Sequence, residues 1–102
     1  MIAIEIPREP LRAFCRKWQV TEFSLFGSVT RPDFRPDSDI DVIVGFSDSA
    51  RWSLLDLVDM KDELEAVFGR QIDLLTRYGI EKSPNLRRRE AILKSAVQLD
   101  VA

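Results

Sequence analysis

The sequence predicts a domain of the α+β or α/β class, in which a small sheet is flanked by helices. Segments with one apolar stripe at helical spacing alternate with short runs rich in β-branched and aromatic residues. The predicted order is helix, strand, strand, helix, strand, helix, without internal repeats or linkers. At 102 residues and 45% apolar composition the chain suffices for one core, so residues 1–102 are expected to form one domain.

The chain is expected to open with a short extended segment and a helix. Isoleucines alternate over residues 2–6 ahead of Pro7, which predicts an edge strand or a clasp. A helix is predicted over about residues 10–18, where Pro10 lies near the start and tolerates the loss of its N–H. Its apolar residues recur at i, i+3, i+4 and i+7, namely Leu11, Phe14, Cys15 and Trp18.

Three strands are predicted. Residues 22–26 form the first and residues 39–46 the second. Residues 28–38, which contain two prolines and no clear period, are expected to form a turn or a short helix. Residues 71–76 form the third strand, with Ile72 and Leu74 on one face and Asp73 and Leu75 on the other.

Two further helices are predicted. Ser53 and Asp56 form a capping box at the start of a longer helix that ends at Gly69. Its expected buried stripe is Leu54, Leu57, Val58, Leu64, Val67 and Phe68. The dipeptide Ser83-Pro84 is expected to begin a last helix that runs to about Leu99.

The residues most informative about function are aspartates near the starts of the second and third strands. Asp39 and Asp41 alternate, so both point to one face, where their charges repel unless a cation lies between them. Hard oxygen ligands suit magnesium. If the third strand pairs beside the second, Asp73 joins them, and three carboxylates can hold two divalent ions for displacement at phosphorus. The turn Gly27-Ser28 offers backbone N–H groups and a hydroxyl to a phosphate.

Other interpretations of these aspartates are open. An Asp pair at a strand start is often only a turn or cap feature. Asp37, Asp39 and Asp41 also mimic the first ligands of an EF-hand calcium loop, but Val42 replaces the glycine that such a loop needs. The run from Val42 to Val44 suits a strand instead.

Composition excludes several chemistries. The chain contains no histidine, which removes Ser-His-Asp and Cys-His catalysis and leaves carboxylates as the main candidates for a general base. The single cysteine, Cys15, excludes an intrachain disulfide and a cysteine metal cluster, and its apolar stripe predicts burial. A net charge of −2 argues against a general nucleic-acid coat protein. Neither a leader nor a membrane-spanning run is expected, so the predicted location is cytoplasmic.

The composite motif resembles the nucleotidyltransferase superfamily of DNA polymerase β, and in particular its minimal nucleotidyltransferase (MNT) subgroup. Gly27-Ser28 is followed, after a spacer of about ten residues, by Asp39-Ile40-Asp41 and then by Asp73. The resemblance covers nearly the whole chain and implies a small mixed sheet with flanking helices, like the polymerase β palm, in a single minimal nucleotidyltransferase domain.

The resemblance also implies roles for these residues. Asp39 and Asp41 would bind the two magnesium ions that carry ATP, and Asp73 would bind the second ion and help to deprotonate the attacking hydroxyl. Gly27 and Ser28 would contact the β- and γ-phosphates. Arg31 would add positive charge there. The implied reaction transfers a nucleoside monophosphate and releases pyrophosphate.

The resemblance further implies a partner. MNT proteins commonly act as antitoxins of HEPN-domain ribonucleases and can transfer AMP from ATP to a tyrosine of the toxin. One alternative is a non-catalytic antitoxin that only covers its toxin, and a second is a transferase for small molecules or RNA ends. Larger relatives carry a further domain, which this chain is expected to lack, so a partner is expected to complete the site. A homo-oligomer stays open, whereas membrane and direct DNA binding are not expected.

Two further features have weaker interpretations. The basic cluster Arg87-Arg88-Arg89 in the last predicted helix fits either a solvated face or a contact with a partner or a phosphate. Tyr78 follows the third strand, where we expect it near the carboxylates. It suits ordinary packing best, although nucleotide stacking or self-modification are alternatives.

Overall fold

The computed structural model describes residues 4–32, 34–35 and 37–102. These residues form four strands, β1 (Val20–Phe26), β2 (Ile40–Phe46), β3 (Ile72–Thr76) and β4 (Val97–Gln98). The strands make one mixed sheet in the order β3-β2-β1-β4. Strands β1 and β2 pair antiparallel, β1 and β4 pair antiparallel, and β2 and β3 run parallel. The predicted class, a small mixed sheet flanked by helices, is therefore confirmed.

Within the described ranges, four α-helices and one 3₁₀ turn surround the sheet. The helices are α1 (Arg8–Trp18), α2 (Leu54–Phe68), α3 (Arg77–Glu81) and α4 (Leu86–Ser95). The 3₁₀ turn, Gly27–Thr30, follows β1 directly. Helix α2 connects β2 to β3, because parallel neighbours need a crossover. In the part of the chain described, none of these helices combines the length and the apolar character that crossing a membrane requires.

The two faces of the sheet have separate cores. Alternation along β2 sends Ile40, Val42 and Val44 to one face, where they pack in the main core with residues of α1 and α2. Ile43 points to the other face and packs in a smaller cluster with Ile92 of α4. Asp41 lies on this second face, so the less covered side of the sheet carries the acidic residues.

The capping signals of α2 are confirmed. Ser53 accepts a hydrogen bond from the Asp56 N–H at 3.2 Å, and the Asp56 carboxylate accepts one from the Ser53 N–H at 2.8 Å. At the other end Gly69 adopts a left-handed conformation with φ of 68° and stops the helix. Local chemistry alone decides these two boundaries.

The buried stripe predicted for α2 is only partly correct. Leu64 is fully buried and Leu57 half-buried, but Leu54 is 77% and Val58 48% exposed. The face that meets the sheet passes instead through Met60 and Leu64. Successive residues of an α-helix are rotated by about 100° around its axis, so the predicted apolar stripe is wider than the part of the helix surface that the sheet covers. Leu54 and Val58 lie on the uncovered side of that stripe.

The prediction for the last helix is also wrong at both ends. Asn85, not Ser83, caps α4 by accepting the Arg88 N–H at 3.1 Å, and the helix ends at Ser95. The following residues pair with β1 as β4, a contact that only the tertiary fold provides. Helix α3 was not predicted, because five residues are too few to show a helical period.

The remaining segments differ in small ways from expectation. Residues 4–7 form no strand, but Ile4 and Ile6 pack against the main core, as a clasp would. Ile2 and Pro36 lie outside the described residues. Helix α1 and strand β1 each begin two residues earlier than predicted, and the expected turn after β1 contains the 3₁₀ helix.

Candidate active site

The parallel pairing of β2 with β3 brings two predicted carboxylates together. Asp41 and Asp73 are direct partners in the ladder, so both side chains leave the same face of adjacent strands. Neighbouring strands lie about 4.8 Å apart. Asp39 is exposed and precedes the first residue of β2. Asp39 therefore lies at the same end of β2 as Asp41, and Asp41 is paired with Asp73 at the start of β3.

The surroundings of Asp41 disfavour its charged form. Its partial burial raises its pKa above the ordinary 3.8, and the carboxylates of Asp73 and Asp39 raise it further. The guanidinium of Arg31 acts in the opposite direction and lowers the pKa of Asp41. The site thus concentrates negative charge that a bound cation would relieve.

Gly27 forms the wall behind Asp41. It has a φ of 72°, in the left-handed region that residues with a Cβ rarely adopt. A Cβ placed there would lie 3.4 Å from the Asp41 Cγ and would collide with Oδ2 of the same carboxylate. The backbone of the Gly-Ser turn therefore approaches the acidic group as closely as a side-chain-free residue allows.

The turn contains a second predicted residue and leads into a third. Ser28 follows Gly27 in the 3₁₀ turn, and its carbonyl accepts the Arg31 N–H at 3.0 Å. The Thr30 hydroxyl donates to the Gly27 carbonyl at 2.6 Å. This short bond closes the turn, so Arg31 leaves it with an exposed side chain that still acts on Asp41.

Ser95 is a site neighbour that sequence reasoning missed. Its Oγ accepts the Gly27 N–H at 3.4 Å and donates to the Ile92 carbonyl at 3.1 Å. The last turn of α4 is thereby tied to the start of the Gly-Ser turn. A cavity of about 420 Å³ lies between them, bounded by Gly27, Arg31 and Ser95. No sequence pattern signals this contact, since it joins residues 68 positions apart.

The donor set fits magnesium, although the side chains alone do not form a complete cage. Within the described ranges no three acidic, histidine or cysteine side chains stand close enough to surround an ion. Asp41 and Asp73 nevertheless present hard oxygen donors from paired positions, and burial together with the charge of Asp73 raises the pKa of Asp41. Asp39, Asp41 and Asp73 are the residues that would hold the ions.

The two features with weaker interpretations lie on α3 and α4. Tyr78 is 72% exposed on α3, beyond the opposite end of β3 from Asp73, so the expectation that it lies near the carboxylates is wrong. Arg87, Arg88 and Arg89 belong to the first half of α4. The Arg89 guanidinium donates to the Glu81 carbonyl at 3.2 Å.

The comparison with known families agrees with this geometry. A model of the nucleotidyltransferase domain family matches residues 8–99. The chain belongs to the nucleotidyltransferase family. The match extends from the first turn of α1 to just past β4, so it includes every element that contributes to the site. The chain is accordingly a nucleotidyltransferase enzyme.

Two individual relatives show which group of nucleotidyltransferases this chain resembles. A candidate protein adenylyltransferase of Methanocaldococcus jannaschii is 43% identical over 83 residues, which span 81% of this chain and 83% of that protein. The solved structure of a candidate minimal nucleotidyltransferase superposes with a TM-score of 0.68 and 34% identity, and covers 90% of this chain and 88% of that one. The expected membership of the minimal nucleotidyltransferases is therefore confirmed.

A more distant structure shares the fold. It contains the tri-AMPylated HEPN toxin of Shewanella oneidensis in complex with an MNT antitoxin. The matched chain has a TM-score of 0.61 and 15% identity, with 90% of this chain and 67% of that one covered.

Proposed function

We propose that this nucleotidyltransferase moves AMP from ATP to a hydroxyl of a partner protein, the tyrosine of a HEPN toxin, and acts as its antitoxin. The observation that carries the proposal is the pairing of Asp41 with Asp73 beside the Gly-Ser turn. The adenylyltransferase name of the M. jannaschii relative supports the nucleotide and the class of acceptor. The AMPylated toxin of the distant structure supports the partner.

The acidic cluster defines the metal chemistry of the proposal. Asp39, Asp41 and Asp73 would hold two magnesium ions, which when bound stabilise negative charge on the attacking and leaving oxygens of the displacement. Because burial and the neighbouring carboxylates raise the pKa of Asp41, protons compete with cations at this group at a higher pH than at an ordinary aspartate.

The chain's own residues would guide the transfer. The acceptor hydroxyl gives its proton to the Asp73 carboxylate, and its oxygen forms a bond to the α-phosphorus of ATP. The bond from that phosphorus to the bridging oxygen breaks, so pyrophosphate leaves and AMP remains on the acceptor. Arg31 offsets charge on the departing phosphates, and the Gly27-Ser28 turn orients them. A cytoplasmic location fits this proposal, because the proposed reaction consumes ATP.

The test is a transfer assay with the co-expressed product of the neighbouring gene as acceptor. ATP labelled at the α-phosphate should mark that protein in the presence of magnesium, whereas ATP labelled at the γ-phosphate should not. Asp39→Asn and Asp73→Asn should each lower the rate by a factor of about 10² or more. Asp62→Asn, an exposed aspartate on α2, is the matched control and should leave the rate unchanged.

Each alternative function predicts a different result. If Asp39→Asn and Asp73→Asn transfer AMP as well as the wild type does, the proposed site is wrong. If neither variant labels the toxin but both protect cells fully, neutralisation by binding alone replaces the proposal. Labelling of RNA ends or of a small molecule, but not of the protein, would reassign the acceptor.

A further inference from the structure

An apolar groove runs along the outer edge of β3. It has a volume of about 510 Å³ and lies between α2 on one side and α3 and α4 on the other. Strand β3 is the last strand of the sheet in the part of the chain that the structure describes. The floor of this β3 groove is aliphatic, formed by Leu57, Leu74, Leu75, Ile80 and Ile92.

The apolar surface continues out of the β3 groove along α2. Leu54 lies one helical turn before Leu57 and Val58 on the helix surface, and Leu54 and Val58 are 77% and 48% exposed. The sequence alone assigns these two side chains to a buried stripe, yet none of the residues that the structure describes covers them. Exposed apolar surface that continues a groove is typical of a docking surface for another protein.

The opposite side of the β3 groove is basic. Lys82, Arg88 and Arg89 line it, and Lys82 and Arg88 are exposed. None of the ion pairs found among the described residues involves these three side chains. A ligand that fits the groove therefore has an apolar stripe and acidic residues beside it, which describes an amphipathic helix with an acidic flank.

The position of the β3 groove relates it to the reaction. Leu75 lies on the same face of β3 as Asp73, two residues along the strand, or about 7 Å away. A segment seated on Leu75 therefore lies about 7 Å from the strand position of Asp73, the carboxylate that would accept the hydroxyl proton. Single-stranded RNA is disfavoured as the occupant, because the lining contains no aromatic side chain on which bases could stack.

We infer that the β3 groove docks the acceptor protein through an amphipathic helix whose acidic side chains pair with Lys82, Arg88 and Arg89. Docking there would hold the acceptor hydroxyl next to Asp73. The inference rests on the proposed function for the identity of the acceptor.

The experiment compares each surface variant with a control variant, and it measures both the affinity for the partner protein and the binding of nucleotide. Leu54→Glu and Arg88→Glu should each raise the Kd for the co-expressed neighbouring-gene product by about ten-fold or more. Leu55→Glu is the control for the first, because Leu55 is equally exposed, at 77%, but points away from the stripe. Arg16→Glu on α1 is the control for the second. All four variants should bind a fluorescent ATP analogue with magnesium as the wild type does.

The outcomes separate this inference from the proposed function. Unchanged partner affinity in both Leu54→Glu and Arg88→Glu overturns the docking surface, whatever the transfer assay shows. Loss of affinity in these variants, with no AMP transfer by the wild type, supports the surface and rejects the proposed reaction. Weaker binding of a labelled RNA oligonucleotide by Arg88→Glu, with partner binding intact, would reassign the groove to RNA.

Discussion

Replacing Gly27 by alanine tests whether the Gly-Ser turn positions Asp41. The added methyl group would collide with the Asp41 Oδ2, so that oxygen has to move by about 1 Å to reach ordinary van der Waals distance. A displacement of 1 Å at a reacting centre can reduce a rate by about 10²-fold. We therefore expect Gly27→Ala to lower AMP transfer by about two orders of magnitude.

The same change should have a modest effect on stability. Alanine at a φ of 72° costs about 1–2 kcal/mol. The collision adds little to this, because the atom that must move is the end of a side chain. For a domain of this size the melting temperature should fall by about 4–8 °C per kcal/mol.

Gly69→Ala provides the matched control. Gly69 has a φ of 68°, but nothing lies within 4 Å of the position of its Cβ. Its variant should lose about the same stability, measured by thermal unfolding, and keep its transfer rate. Equal transfer rates for Gly27→Ala and Gly69→Ala would refute the close approach of the turn to Asp41 as a requirement for activity.

Three further predictions concern single residues. Asp41→Asn should raise the melting temperature at pH 7, because a raised pKa means that ionised Asp41 destabilises the folded state. This gain should vanish as the pH falls below 3.8, because the carboxylate is then protonated in both the folded and the unfolded state. Burial raises the pKa of Cys15 to about 11. A thiol reagent at pH 8 should therefore label the chain in guanidinium chloride but not in the native state. Rapid labelling of the native protein would contradict the packing of α1. Ser53→Ala should cost about 1 kcal/mol in denaturant unfolding, since it removes the acceptor for the Asp56 N–H, and Ser53→Asn should restore most of it.

Local features of the fold could be predicted from the sequence because their causes are local. The capping box of Ser53 and the helix stop at Gly69 depend on residues three or fewer positions away, and both were predicted correctly. The alternation of Asp73 with its apolar neighbours likewise gave its face of the strand. Features that depend on packing could not be predicted in this way. Strand β4 forms because its residues pair with the free edge of β1. Leu54 stays exposed because the sheet is too narrow to cover the whole apolar stripe of α2.

By itself, the sequence determined the family and the residue types of the candidate site, because Gly27-Ser28, Asp39, Asp41 and Asp73 form a pattern that can be read along the chain. Only the tertiary structure decided that Asp41 and Asp73 are ladder partners, since a parallel register joins residues 32 positions apart through the crossover of α2. It alone brought the Gly27 backbone against Asp41 and formed the β3 groove, whose lining includes Leu75, two residues from Asp73. These relations are set by long-range packing, which no local pattern encodes.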